Sequence, residues 1–203
     1  MHLTQLSLDP QSALARRDLA DPYELHRTLV RAFVTDDQQT PPRFLWRLEA
    51  QANWNEPVLL VQSRHPADWT YLDSLPGYLR KPALSKAVNL ETLLVTAGRY
   101  RFRLLANPTV TRAGKRHGLV GEEAQLAWLT RQGERLGFSV ETALTTGSDV
   151  LHSRKGTTRI SLQRVCYEGV LQARDSVALS DALQDGIGPG KAFGCGLLSL
   201  ARL

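Results

Sequence analysis

The chain has 203 residues, 42% of them hydrophobic, which fits one medium domain or two small ones and excludes a disordered chain. A formal charge of +5 points to an anionic partner, with nucleic acid first among the candidates. No run approaches the roughly 20 apolar residues of a membrane span, MHLTQLSLDP does not resemble a secretory signal, and Cys166 and Cys195 lack CxxC spacing, so a reduced cytoplasmic protein without a disulfide or zinc framework is expected.

His2–Leu8 reads as a strand, with Leu3, Leu6 and Leu8 set among polar neighbours. Asp21-Pro22-Tyr23-Glu24 is a helix start: Asp21 can cap the amide of Glu24, Pro22 suits the first helical position, and Glu24 completes a capping box. That helix buries Leu25, Leu29, Ala32 and Phe33 and ends before Asp36-Asp37. Phe44–Leu48 and Val58–Gln62 read as strands, Ala67–Leu75 as the site of a short helix, and Pro76-Gly77 as a turn. A strand over Lys86–Leu94 would complete a β-α-β-β-α-β order, although Ala87–Val95 reads equally as helix.

The pattern then repeats. Arg99–Leu105 is a strand, Glu122–Leu136 a helix burying Leu126, Leu129 and Leu136, and Phe138–Ala143 and Ser161–Gln172 are two more strands. Asp175 caps a helix running to about Leu183, and Leu197–Leu200 is the last strand. The expected fold is α+β: two tandem β-α-β-β-α-β domains with antiparallel sheets, residues 1–96 and 97–203, closely packed because nothing between them resembles a flexible linker. Trp46, Trp54, Trp69 and Trp128 are expected in the core or at an interface.

The most specific local signal is the glycine cluster Gly186-Ile-Gly188-Pro-Gly190-Lys191-Ala-Phe-Gly194-Cys-Gly196. A dinucleotide fingerprint would need glycine at 191 or 193, where lysine and phenylalanine stand, and the segment precedes a strand. A P-loop would need one more residue before the Gly-Lys pair and a Ser or Thr after it. What remains is a loop of backbone amides with one cation, in which Gly188, Gly190 and Lys191 can lie along a sugar-phosphate chain. The alternative is that these glycines serve sharp turns and close packing.

Cleaving RNA without a metal requires the ribose 2′-OH to attack the adjacent phosphate, with one group removing its proton and another serving the departing 5′-oxygen. Histidine is the side chain best placed to exchange protons near neutrality, and tyrosine can orient or donate. Tyr23 and His26, at i and i+3, face one site from the first helix, where the amides and positive helix end favour phosphate and depress the imidazole pKa. Arg27 and Arg31 follow on the same helix and can hold phosphate. An isolated histidine is more often an incidental surface imidazole; the capped helix, the arginines and the family motif given below turn that reading.

Arginine's planar fork grips phosphate through paired bonds and stacks on bases, so twenty arginines against five lysines suit an RNA partner; a GC-rich genome is the other source of such a ratio. Arg99, Arg101 and Arg103 share one strand face, which reads equally as a solvated sheet surface. Lys115 and Arg116 lie in a cationic turn, and Ser153–Arg159 reads as a hairpin tip carrying Arg154, Lys155 and Arg159. The last suits double-stranded RNA, which is recognised through phosphates, 2′-hydroxyls and shape. His2, His65, His117 and His152 have no metal-ligand spacing, the acids do not cluster as a two-metal nuclease needs, and no GxSxG supports a hydrolase triad. No metal and no cofactor are expected.

The paired Gly-apolar-Gly elements at Gly186–Gly188 and Gly194–Gly196, with Val165–Leu171, Phe102–Pro108 and Tyr23–His26, resemble the CasE family of CRISPR repeat-RNA endoribonucleases from type I-E Cascade complexes. The resemblance covers most of the chain and is least distinctive over residues 31–98. It implies two ferredoxin-like domains, with His26 catalytic and Tyr23 its helper. It also implies cleavage of a CRISPR precursor at the base of each repeat hairpin, retention of the product, and a place among other Cascade subunits. The competing reading is a non-catalytic RNA-binding scaffold subunit of such a complex.

Overall fold

A computed structural model of the chain describes residues 1–36, 38–49, 55–155 and 158–203, the side chains of 154 and 155 excepted. The chain divides into two compact units, residues 1–88 with 192–194, and residues 89–191 with 195–203.

In the first unit, β1 (His2–Leu8) leads through α1 (Ala13–Ala20) and α2 (Pro22–Val30) to β2 (Phe44–Leu48) and β3 (Val58–Ser63), then through α3 (Thr70–Asp73) to β4 (Leu79–Ala87). The sheet runs β2-β3-β1-β4 with every neighbouring pair antiparallel. Leu6 and Leu8 of β1, Leu59 and Val61 of β3, and Phe44 and Trp46 of β2 form its core with Leu25 and Leu29, which sit one turn apart on α2. Each fully buried leucine of this kind contributes about 1.5–3 kcal/mol.

Two elements differ from the sequence reading. Helix α1 was not expected, because its inner face holds a carboxylate as well as an alanine: Ala15 and Asp18 are the buried residues. Asp18 is fully enclosed, accepting from Arg17 (2.9 and 2.6 Å) and from the Tyr78 hydroxyl (2.7 Å). Hydrophobic periodicity does not register such a residue. The expected strand at Lys86–Leu94 begins earlier, at Leu79, and gives way after Ala87 to α4 (Leu90–Leu93), capped by the Asn89 side chain on Glu91 and Thr92. Strand β4 is an edge strand with little apolar alternation, and Pro82 falls where its pairing with β1 is irregular.

The second unit continues from α4 through β5 (Arg99–Ala106), β6 (Thr109–Arg112), β7 (Lys115–Gly118), α5 (Glu122–Arg135), β8 (Phe138–Lys155), β9 (Thr158–Ala173), α6 (Ser176–Asp185) and β10 (Leu198–Arg202). Its main sheet runs β10-β5-β9-β8, again antiparallel throughout. In both units the first strand lies between the third and the fourth, which is the ferredoxin-like order the repeated pattern implies. Alternate residues of β5 (Tyr100, Phe102, Leu104, Ala106) are buried, as are Trp128 and Leu129 of α5 and Tyr167 and Leu171 of β9. Trp46, Trp69 and Trp128 are all core residues, while Trp54 lies outside the described residues.

Strands β8 and β9 pair from Phe138↔Ala173 to Lys155↔Thr158, far beyond the predicted Phe138–Ala143. The added length is largely exposed and polar, so it carries no alternation to read. Two register shifts interrupt the ladder, between Val140 and Thr142 and between Thr145 and Gly147. At the first, a Cβ on Gly169 would lie 2.0 Å from the Thr142 carbonyl oxygen, so only glycine fits. The Arg112–Lys115 turn reverses through Ala113 and Gly114 at φ of 48° and 72°, the left-handed pair that a two-residue hairpin loop requires. Among the described residues no helix is long and apolar enough to cross a membrane.

Candidate active site

Helix α2 starts where α1 stops. The Asp21 backbone N–H closes α1 on Arg17 O (3.1 Å), and the extended backbone of Asp21 breaks the helical path before Pro22 starts α2. Asp21 Oδ1 accepts from the Tyr23 amide (2.9 Å), one residue earlier than the capping-box reading places the bond. The Glu24 carboxylate accepts from Arg27 Nη1 (2.9 Å) and lies 3.9 Å from Arg17 Nη2. Arg17, held by the buried Asp18, also reaches Thr28 Oγ1 (3.5 Å), so a half-buried polar cluster on α1 meets α2. Burial and the bond to Asp18 raise the Tyr78 phenol, which stays protonated.

His26 is the distinctive group on this helix. Its ring stacks on Phe44 (centroids 5.0 Å, planes 19° apart), Phe44 stacks on Phe33 (4.6 Å, 13°), and Phe33 meets the edge of Trp69 (6.0 Å, 79°). Nδ1 is buried and has no hydrogen-bond partner among the described residues. Burial pushes the imidazole down to about 4, so at pH 7 the ring is neutral. The direction is the one expected from the sequence, but the cause is desolvation: His26 lies beyond the first turn, where the helix end acts most strongly.

Tyr23, half-buried one turn earlier, stacks on Phe193 (6.2 Å, 28°). Phe193 belongs to the Ala192–Gly194 segment of the first unit, and Gly194 in the same segment lies flat on Trp46: a Cβ there would sit 2.8 Å from Cζ3. Sequence reasoning missed the aromatic partners. Phe44 read only as a strand residue, and Phe193 stood inside the glycine cluster as a spacer. The signal available was an aromatic beside Gly194, a glycine whose φ of 80° signals a turn aimed at a neighbour.

The structure places the other candidates in three groups. Arg27 and Arg31 share α2 with Tyr23 and His26; Arg27 is exposed and paired with Glu24, and Arg31 is the exposed residue that ends the helix. Lys115 and Arg116 are exposed on β7, paired with Arg112 and Thr111. Arg154, Lys155 and Arg159 lie at the tip of the β8–β9 hairpin, Arg154 opposite the exposed Arg159. The side chains of Arg154 and Lys155 lie outside the described residues. The two hairpins adjoin within the second unit, where a Cβ on Gly118 of β7 would lie 2.7 Å from Gln163 Cβ of β9.

Gly188, Gly190 and Lys191 form a loop turned toward its own unit. Cβ atoms on Gly188 and Gly190 would lie 3.0 Å from Trp128 and 3.4 Å from Cys195, and Lys191 Nζ donates to Gly188 O (2.7 Å). Of the three arginines along β5, Arg99 is held by Glu141 (2.7–3.1 Å) and Arg103 by Glu168 (3.0 Å). That sheet face thus carries its own counter-ions. Among the described residues, no three His, Cys, Asp or Glu side chains come together to hold a metal ion.

Two antiparallel β-α-β-β-α-β units, with a neutral histidine and a tyrosine at the start of one helix, define a tandem ferredoxin-like protein bearing a single histidine site. Residues 1–202 match the family model described as CRISPR associated protein, and the chain belongs to that family. It is 38% identical to the CRISPR-associated endoribonuclease Cse3 of Thermus thermophilus, over 99% of this chain and all of that protein. It is 30% identical to the CRISPR system Cascade subunit CasE of Escherichia coli, over 94% and 96% of the two chains. The fold matches a structure of Thermus thermophilus Cse3 bound to an RNA representing a pre-cleavage complex, with a TM-score of 0.87 and 38% identity over 99% of this chain and 98% of that one.

Proposed function

We propose that the chain is a metal-independent endoribonuclease that cuts CRISPR precursor RNA at the base of the repeat hairpin and stays on the product as a cytoplasmic Cascade subunit. The observation that carries this is the neutral, half-enclosed His26 beside Tyr23 on a helix start. Support comes from relatives named an endoribonuclease and a Cascade subunit, and from the RNA-bound neighbour.

With Nδ1 buried and the ring stacked on Phe44, the other nitrogen, Nε2, takes the proton of the ribose 2′-OH. The 2′-oxygen bonds to phosphorus, the bond to the 5′-oxygen breaks, and that oxygen receives a proton. The products are a 2′,3′-cyclic phosphate and a 5′-OH. Tyr23 donates toward the phosphate or the departing oxygen, and Arg27 and Arg31, with the positive end of α2, hold negative charge. A ring that titrates near 4 is suited to the base role, because almost no imidazolium exists at pH 7 to act as acid. The catalytic helix belongs to the first unit, residues 1–88 with 192–194. The second unit offers Lys115, Arg116, Arg154, Lys155 and Arg159 to the repeat stem, while Gly188, Gly190 and Lys191 pack on their own unit.

The test is cleavage of a repeat hairpin in EDTA by the native chain and by His26→Ala, with a second substrate carrying a 2′-deoxy residue at the cut site. Cutting in EDTA that is lost in His26→Ala and on the deoxy substrate is expected. Binding without cutting, or a His26→Ala variant as fast as the native chain, would leave a non-catalytic RNA-binding subunit.

A further inference from the structure

Histidines that exchange protons in catalysis are ordinarily oriented by a hydrogen bond on the nitrogen that does not react, which fixes both the tautomer and the ring plane. His26 lacks that device: Nδ1 is buried with no partner among the described residues. Something else must hold the ring. What touches its face is Phe44, nearly parallel at 19° with centroids 5.0 Å apart, inside the range of about 4.5–7 Å over which aromatic rings attract. Phe44 is itself buried, 5% exposed, and paired through β2 with Ser63 of β3. Phe33 lies parallel on Phe44 at 4.6 Å, and Phe33 is met edge-on by Trp69, whose Nε1 is anchored on Thr4 Oγ1 (3.2 Å).

We infer that Phe44 is a positioning residue for His26, its ring, backed by Phe33, taking the place of the hydrogen-bonded orienter. This rests on the reading of His26 as the proton-transferring group. The stack fixes the imidazole plane, seals Nδ1 from water and leaves Nε2 as the nitrogen that exchanges protons. It offers no charge to an imidazolium. Of the charged residues on the two elements involved, Arg27 on α2 is paired with Glu24 (2.9 Å), and Arg47 on β2 with Glu49 (2.6 Å). Arg43, just before β2, has a partner of its own. Burial is accordingly what acts on the ring. An aromatic orienter and a neutral base are two aspects of one arrangement.

The experiment follows the His26 ring directly, by 15N and 1H NMR of the imidazole across pH in the RNA-free chain, and measures repeat-hairpin affinity and single-turnover cleavage for Phe44→Leu, Phe44→Tyr and Phe33→Leu. In the native chain the ring protons should be shifted upfield by the stack, with a low titration point; unshifted protons and ordinary titration would overturn the inference without any variant. Phe44→Leu keeps apolar volume but removes the flat surface. It should leave affinity within about twofold, slow cleavage by about ten- to a hundredfold, and move the His26 titration upward together with the acid limb of the rate. Phe44→Tyr, which keeps the ring, should restore native behaviour, and Phe33→Leu should show the Phe44→Leu pattern in weaker form. Native rate and native His26 titration in Phe44→Leu would refute the role. So would loss of rate with an unmoved ring signal and a parallel loss of affinity. A His26→Ala chain that cleaves normally would instead overturn the catalytic reading on which this rests, whatever the NMR shows.

Discussion

Lowering the pH should destabilise this chain through His26 in a calculable way. The ring titrates at about 4 when folded and near 6.5 when unfolded, so between those values the unfolded chain binds the proton that the folded chain refuses. The stability is fully present above pH 6.5 and is lost as pH falls through 4. A gap of roughly 2.5 pH units at about 1.4 kcal/mol each gives a total loss of about 3 kcal/mol, of which about 2 kcal/mol has gone by pH 5. That is a large share of the 5–15 kcal/mol typical of a folded domain. Urea unfolding of the native chain and of His26→Leu at pH 8, 6 and 5 isolates this effect, because leucine fills the site without titrating. Other carboxylates that lose favourable contacts in acid, such as Glu56 beside Lys81 and Asp68 beside Thr70, are common to both chains and cancel. The native chain should fall by about 2 kcal/mol relative to His26→Leu between pH 8 and pH 5. Two profiles parallel to within about 0.5 kcal/mol would show that water reaches the ring, and the argument from burial would be wrong.

Phe193→Ala removes the ring stacked on Tyr23 and should slow single-turnover cleavage by about tenfold with repeat affinity nearly unchanged; an equal loss of affinity would assign Phe193 to RNA contact. Asp18→Asn weakens the hydrogen bonds to half-exposed Arg17 and to Tyr78, and should cost about 1–2 kcal/mol in denaturant unfolding and loosen α1 from α2. Replacing Arg154, Lys155 and Arg159 together by alanine should weaken repeat binding and lower the salt dependence of log K by about 2–3, measured by titration at several salt concentrations.

The sequence made the outer plan legible and left the interior of the site hidden, for reasons that differ element by element. Strand β5 and helices α2 and α6 were readable because a clean alternation or a cap marks each one: Tyr100, Phe102 and Leu104 do alternate inward, and Asp21 and Asp175 do cap. Helix α1 was not readable, since its burial centres on Asp18, a carboxylate held by its neighbour Arg17 and by the distant Tyr78. The far half of β8 escaped because an exposed ladder needs no hydrophobic period, and β4 because an edge strand with Pro82 reads as loop. Tyr23 and His26 were legible as a helix-face pair. Their environment was not, because Phe44 and Phe193 reach them through tertiary contacts that leave no local spacing. The sequence thus suggested a pKa direction for the histidine but attributed it to the helix end, when the cause is burial.

That the histidine site lies in only one of two units of like topology follows from how each connects its first strand to its second. In the second unit the connection holds the β6–β7 hairpin and then one continuous helix, α5, entered through Gly121 at φ 91° with Glu122 and Glu123 in its first turn. Two carboxylates there repel a phosphate, and the following residues, Ala124, Gln125 and Leu126, offer no proton exchange near neutrality. In the first unit the same connection is broken at Asp21-Pro22, so a second helix begins partway along. The break opens a second helix N-terminus, where Asp21 already caps the Tyr23 amide, and the single first-turn acid, Glu24, is occupied by Arg27 and approached by Arg17. It also sets His26 at the level of the β2 aromatics, deep enough to stack on Phe44 and lose its charge. One extended residue at Asp21 therefore accounts for both halves of the candidate site, a helix start that carries Tyr23 and a neutral imidazole held one turn behind it.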